Sequence, residues 1–194
     1  MPPRILAFSG SLRRDSWNHK LVEIAADAAR DAGAEVTVIR LRDYPMPVFD
    51  EDLEADQGLP QEVMALREQF KSHQGLLIAS PEYNSSVTAA LKNTIDWLSR
   101  TPEGCAPLEC FDQKIAGLMA ASPGGLGGLK GLSSIRWILG NIRVTVLPRQ
   151  VAVPRIHEVL QEPGRLSVEA LQEQITLLGR EVAETASKMH DLPA

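Results

Sequence analysis

Short apolar runs alternate with amphipathic stretches along the whole chain. Residues 5–8 form an unbroken apolar run of strand length, followed by a polar, glycine-containing turn at 9–14. From 18 to 32 the spacing becomes helical, with Leu21, Ile24, Ala25 and Ala28 on one face and Gly33 as the stop. Residues 35–41 are rich in β-branched side chains and predict a second strand. A loop containing proline and acidic residues, 43–59, leads to a helix that starts at Pro60 and carries Val63, Leu66 and Phe70. A third strand follows at 76–79, a helix at 88–99 that ends before Pro102, and a fourth strand at 114–121. A helix at 127–140, a fifth strand at 143–147 and a long helix at 167–188 complete the pattern. Leu171, Ile175, Leu178 and Val182 mark the buried stripe of that last helix.

Strands that alternate with helices imply an α/β fold, a parallel sheet covered by helices on both faces. Right-handed crossovers leave few topologies, and 2-1-3-4-5 is the common order for five strands. A length of 194 residues suits one domain, 1–194, with no linker or internal repeat.

Composition narrows the classes of function. Hydrophobic residues make up 44%, charged residues 23%, and the net charge is -5. A nucleic-acid partner would require a clustered basic face, which is missing, and no apolar run is long enough to span a bilayer. The opening MPPRILAFSG lacks the long apolar region of a signal peptide, so a cytoplasmic protein is expected. Cys105 and Cys110 then read as two free thiols. A metal site there would have only Glu103 and Glu109 as further ligands, and none is assigned.

In a sheet of this order, ligands bind beyond the carboxyl ends of the strands, between strands 1 and 3. The loop after strand 1, SGSLRRDSWN, offers Ser9, Ser11, Ser16, Asn18 and two arginines beside a helix N-terminus. Free N–H groups, hydroxyls and a guanidinium suit a terminal phosphate. The loop has only Gly10, so it matches neither a P-loop nor a dinucleotide fingerprint, and one phosphate suggests a mononucleotide. The same residues also read as a plain helix cap with exposed arginines. The loop after strand 3, SPEYNSS, places Pro81, Glu82, Tyr83 and Asn84 where a flat ring would lie, although its residues are equally those of an ordinary turn. The loop after strand 4, ASPGGLGGLKG, lets backbone approach a ligand closely.

Taken together, these segments resemble the NADPH-dependent FMN reductase family of the flavodoxin-like superfamily, close to the bacterial quinone and chromate reductases. The carrying stretches are GSLRRDSWN at 10–18, SPEYNSSVTAALKNTIDWLSR at 80–100 and SPGGLGGLKG at 122–131, with further likeness at 43–54 and 146–160. The resemblance implies a flavodoxin-like three-layer sandwich that holds FMN. It implies that Ser11, Arg13, Ser16 and Asn18 hold the phosphate and that Pro81, Glu82, Tyr83, Asn84 and Ser85 line the ring and ribityl side. Ser122 and Gly124 would close over the ring's other edge. Thr88 and Ala89 stand where many members have Pro-Gly. Leu129, Lys130 and Gly131 replace the usual Arg-Ala-Gln, which sets the family's nicotinamide-side and subunit-contact roles there in question.

The implied activity is an FMN-dependent NAD(P)H oxidoreductase. NADPH or NADH is the co-substrate, and quinones, free flavin, azo compounds or metal oxyanions are the acceptors. No side chain needs to act as acid, base or nucleophile. His19, His73, His157 and His190 lie outside the three loops and read as solvated or structural. A homodimer or homotetramer is expected, with Asp96, Trp97 and Arg100 as contact residues, since an indole near a helix end suits an interface. Two other classes share the fold: a flavodoxin-type electron carrier, and a flavin-free scaffold or sensor.

Overall fold

Successive strand residues point to opposite faces of a sheet, and in β1 (Arg4–Ser9) both sets are apolar. Ile5 and Ala7 join one core layer, Leu6 and Phe8 the other. The computed structural model describes residues 1–161 and 164–190. Along the chain, β1 is followed by α1 (Trp17–Asp31), β2 (Glu35–Arg40), a 3-10 turn (Leu41–Asp43), α2 (Glu51–Gln57), α3 (Gln61–Ser72) and β3 (Gly75–Ala79). Then come α4 (Ala89–Leu98), β4 (Ile115–Ala121), α5 (Leu129–Asn141), β5 (Thr145–Val153) and α6 (Ile156–Val159). A short antiparallel pair, β6 (Leu160–Gln161) and β7 (Arg165–Leu166), precedes α7 (Glu169–His190).

The main sheet has the order β2-β1-β3-β4-β5 with every pairing parallel, as the alternation of elements predicts. Helices α1 and α7 cover one face through Leu21, Val22, Ile175, Leu178 and Val182. Helices α3, α4 and α5 cover the other through Leu66, Phe70, Ile95, Trp97 and Ile135. Burying the sheet on both sides explains why its central strands read as continuous apolar runs rather than alternating ones. Ser9 pairs with Arg40 on one side and Ala79 on the other, so the loops after β1 and β3 leave the sheet side by side. No helix among the described residues is long and apolar enough to cross a membrane.

Four features depart from the sequence pattern. Helix α2 lies in the stretch expected to be loop; none of its residues is buried, so it carries no apolar stripe to reveal it. Strand β5 runs on past Pro148 to Val153, where the pattern predicts an end at residue 147. It is an edge strand with a register shift against β4, a position that tolerates proline, and the Arg136 guanidinium donates to the carbonyls of Val146, Leu147 and Pro148 there. Helix α6 and the β6–β7 pair were not expected.

The fourth departure concerns the expected subunit contact at Asp96, Trp97 and Arg100. Trp97 is fully buried, its Nε1 donates to Pro47 O at 2.8 Å, and its ring meets Phe49 edge-on with centroids 5.0 Å apart. Arg100 pairs with Glu54 at 2.7 Å and lies over the Phe49 ring, and Asp96 pairs with Lys92 on the same helix. Asn93 adds two bonds, donating to Pro47 O and accepting from Phe49 N. Asn93 and Trp97, four residues apart on α4, and Arg100 just past its end together clamp the 47–54 segment inside the chain. That intramolecular task corrects the interface reading for Trp97.

Candidate active site

The loop after β1 is built on serine hydroxyls that organise its own backbone. Ser9 Oγ accepts from Ser11 N at 3.2 Å, Ser11 Oγ from Arg13 N at 3.2 Å, and Ser16 Oγ from His19 N at 3.3 Å as the cap of α1. All three serines are buried, and a hydroxyl that accepts still has its own proton to donate. The first turn of α1 carries no acidic side chain, so its positive end is not offset. Arg13 is exposed, with its guanidinium carbon 5.5 Å from the centre of the Trp17 ring. Trp17 in turn has His157 of α6 beside it, with centroids 6.4 Å apart. Arg14 is also exposed, and its carbonyl accepts from Arg40.

Beside this loop the other ionisable groups are paired or partly buried, while the Arg13 and Arg14 side chains are exposed. A hydrogen bond from Lys20 lowers the pKa of Asp15, with which it pairs at 2.9 Å. Burial, and then the charge of Arg40, lowers the pKa of His19, against the pull of Glu23 3.3 Å away. Position 10 is held to glycine by contact: a Cβ there would sit 2.5 Å from Ser80 Oγ. Gly10 N donates to Ala79 O at 2.9 Å, which seats the first loop against the second.

The second loop is a two-residue hairpin. Tyr83 and Ser86 exchange backbone hydrogen bonds of 3.0 Å in both directions, and Asn84 and Ser85 have φ of 50° and 65°. Positive φ at both central residues is the signature of a type I′ turn, a costly conformation for serine. Tyr83 is about half exposed. Glu82 Oε2 accepts from Gly131 N at 3.0 Å, which ties this loop to the first turn of α5. Lys130 Nζ lies 3.4 Å from Ser85 Oγ.

In the third loop, Gly128 caps α5 at φ 91°, where a Cβ would meet Ala120 Cβ at 2.7 Å. That left-handed residue is why α5 begins at Leu129 and not at 127. Gly124 is exposed; its carbonyl accepts from the Arg155 and Gly127 amides, and that of Ser122 accepts from the Ile156 amide. Asn18 has a task beyond the phosphate role expected of it. Its Nδ2 donates to Ala121 O and its Oδ1 accepts from Ala121 N, both at 2.9 Å. It therefore fastens the start of α1 to the end of β4, joining the first loop to the third.

Ten of the eleven expected site residues thus sit on the loops that follow β1, β3 and β4, and the eleventh, Asn18, is in the first turn of α1. The first loop groups hydroxyls and the Arg13 guanidinium, donors of the kind that an anion takes. Trp17 was left without a role by the sequence reading; an aromatic beside a loop arginine is the signal that points to it. His73 is structural, bonded to Gln69 O and Thr37 Oγ1. The side chain of His190 lies outside the described residues. Cys105 and Cys110 are both free, and burial pushes the Cys110 thiol up to about 11. Among the described residues no cluster of three metal-ligating side chains occurs.

The sequence profile of the NADPH-dependent FMN reductase family matches residues 3–158. The chain belongs to that family. Within this FMN reductase family and its kin, a probable NADPH:quinone oxidoreductase of Oryza sativa subsp. japonica is 35% identical over 135 residues, 70% of this chain and 63% of its own length. The chain thus spans less than two thirds of that relative. An NAD(P)H-dependent FMN reductase of Pseudomonas aeruginosa is 33% identical over 181 residues, 90% of this chain and 92% of its own. Among solved structures, the flavoenzyme NAD(P)H:(acceptor) oxidoreductase FerB of Paracoccus denitrificans superposes with a TM-score of 0.80 at 25% identity, covering 96% of this chain and 98% of its own.

Proposed function

We propose that the chain is an NAD(P)H-dependent reductase that holds FMN in the three-loop cleft and passes electrons to small acceptors, foremost quinones. The observation that carries this reading is the donor set at the start of α1. Three buried hydroxyls, the N-terminal end of α1 with no acidic side chain in its first turn, and the exposed guanidinium of Arg13 suit a single phosphate. Position 10 is closed by Ser80, with no run of glycines that would admit a pyrophosphate.

Ser11, Arg13 and Ser16 hold the phosphate, and Asn18 keeps that loop in register with β4. Pro81, Glu82, Tyr83, Asn84 and Ser85 support the ring and ribityl side, with Glu82 fixing the hairpin to α5. Ser122 and Gly124 present backbone to the other edge. Bound FMN supplies the chemistry, accepting two electrons from NADPH or NADH and returning them to the acceptor. The side chains bind, orient and shield; none is assigned as acid or base.

The rim of the cleft favours a flat apolar acceptor. Leu12, Tyr83, Leu126 and Leu129 are each about half exposed, at 53%, 51%, 56% and 49%. Such a rim suits a quinone better than a metal oxyanion, which needs several donors. The same rim would be covered by a second copy of the chain, so we infer a homodimer or homotetramer, which a sedimentation mass tests. The chain acts as one domain, in the cytoplasm, where both cysteines stay reduced.

The deciding experiment is anaerobic reduction of the FMN-loaded protein by each nicotinamide, followed by steady-state turnover with a quinone. Bleaching of the flavin and sustained turnover are expected. Reduction without turnover would make the chain an electron carrier, and failure to take up FMN at micromolar concentration would leave it a flavin-free relative.

A further inference from the structure

The loops after β1 and β3 meet at one buried hydroxyl. Thr88 is 1% exposed and lies just ahead of α4. Its Oγ1 donates to Gly10 O at 2.6 Å, across 78 residues of sequence, and accepts from Leu91 N at 3.1 Å as the cap of α4. The proton and an acceptor site of that hydroxyl are therefore both in use.

Gly10 opens the serine loop, and its two polar groups are held from outside the loop. Ala79 on β3 takes its N–H and Thr88 takes its C=O. The next bonds run in series: Ser11 N to Ser9 Oγ, then Arg13 N to Ser11 Oγ. The peptide between Gly10 and Ser11 thus sets where the Ser11 hydroxyl and the Arg13 amide point. That peptide's carbonyl is the group Thr88 grips.

We propose that Thr88 is a positioning residue for the phosphate loop, a pin that transmits the placement of α4 to Ser11 and Arg13. The inference rests on the FMN reading above and deepens it.

The test is a pair of titrations, FMN and riboflavin, into wild type, Thr88→Val and Thr88→Ser, read by flavin fluorescence and accompanied by urea unfolding. Valine keeps the shape but leaves the buried Gly10 carbonyl unpaired. Thr88→Val is expected to weaken FMN about tenfold, or about 1.4 kcal/mol, and riboflavin by no more than about twofold. Thr88→Ser restores both bonds and should bind FMN as wild type does. Inorganic phosphate should compete with FMN less well in the valine variant. A valine variant that keeps the wild-type preference for FMN over riboflavin, or weakens both equally, overturns the proposal and leaves Thr88 as a helix cap. If the valine protein does not fold, Thr88→Cys, similar in size with a weak donor, gives the same comparison. Wild type that takes up no FMN overturns the flavin reading itself. Wild type that binds FMN beside a variant with unchanged preference overturns only the role of Thr88.

Discussion

Arg13 and Trp17 allow the phosphate assignment to be tested as a cycle. The Arg13 side chain is exposed, so removing it leaves no buried gap, and its backbone amide still reaches Ser11 Oγ. A hydrogen bond from a charged donor contributes roughly 1.5–3 kcal/mol. Arg13→Ala should therefore weaken FMN by about tenfold to a hundredfold. On the phosphate reading, the contribution of Trp17 is to hold the Arg13 guanidinium over its ring, 5.5 Å from the centre. A cation–π contact at an exposed site contributes about 0.5–1 kcal/mol. Trp17→Leu should thus cost roughly two- to fivefold in FMN affinity in wild type, and almost nothing once Arg13 is alanine. Riboflavin shares the ring and ribityl chain but lacks the phosphate, so its affinity should hardly change in either variant. The differences should grow at low salt, where screening is weaker. Arg14→Ala is the control, because among the described residues Arg14 is engaged through its carbonyl and not its side chain. Fluorescence titration of both ligands into the four proteins of the cycle measures every term. If Arg13→Ala weakens riboflavin as much as FMN, Arg13 is a structural residue and the phosphate lies elsewhere.

Three further outcomes are expected. Lys114 is buried with its Nζ on His73 O, and burial takes its pKa from 10.5 down to about 8. Between those values the unfolded chain binds more protons than the folded one, so this group's contribution to stability rises with pH through that window, by on the order of 3 kcal/mol. Urea unfolding from pH 7 to 10.5 should show the stability of Lys114→Met relative to wild type falling as the pH rises, and a pH-independent difference would refute this. Trp97→Phe loses the bond to Pro47 O and should lower stability by about 1–3 kcal/mol without changing the sedimentation mass; a lighter particle would return Trp97 to an interface. Initial rates with NAD(P)H and a quinone should give parallel double-reciprocal lines, since both substrates use one cleft, and intersecting lines would count against a shared site.

The division between what sequence settles and what needs the tertiary structure follows from the range of the forces involved. Strand order, the two apolar layers and the three polar loops were legible because each rests on local periodicity or on a topological rule. The continuous run from Ile5 to Phe8, the helical spacing of Leu21, Ile24 and Ala28, and the serines of the first loop are visible one window at a time. Helix α2 was invisible because it packs a single apolar side chain, the partly buried Leu53, against the core, and the far half of β5 because Pro148 reads as a stop unless the strand is known to lie at an edge. The family-like motif around Trp97 was visible as a pattern, yet its meaning was not. Only the fold brings Pro47 and Phe49 against Asn93, Trp97 and Arg100 and turns an apparent contact surface into an internal clamp. The links among the loops, Asn18 to Ala121, Glu82 to Gly131 and Thr88 to Gly10, join residues 103, 49 and 78 positions apart. Sequence alone determined that serine, asparagine, glutamate and threonine would stand at the ends of these strands. Which of them face a ligand and which hold the loops together was decided by the tertiary structure, because a hydrogen bond needs a partner within about 3 Å, and only folding brings those partners within reach.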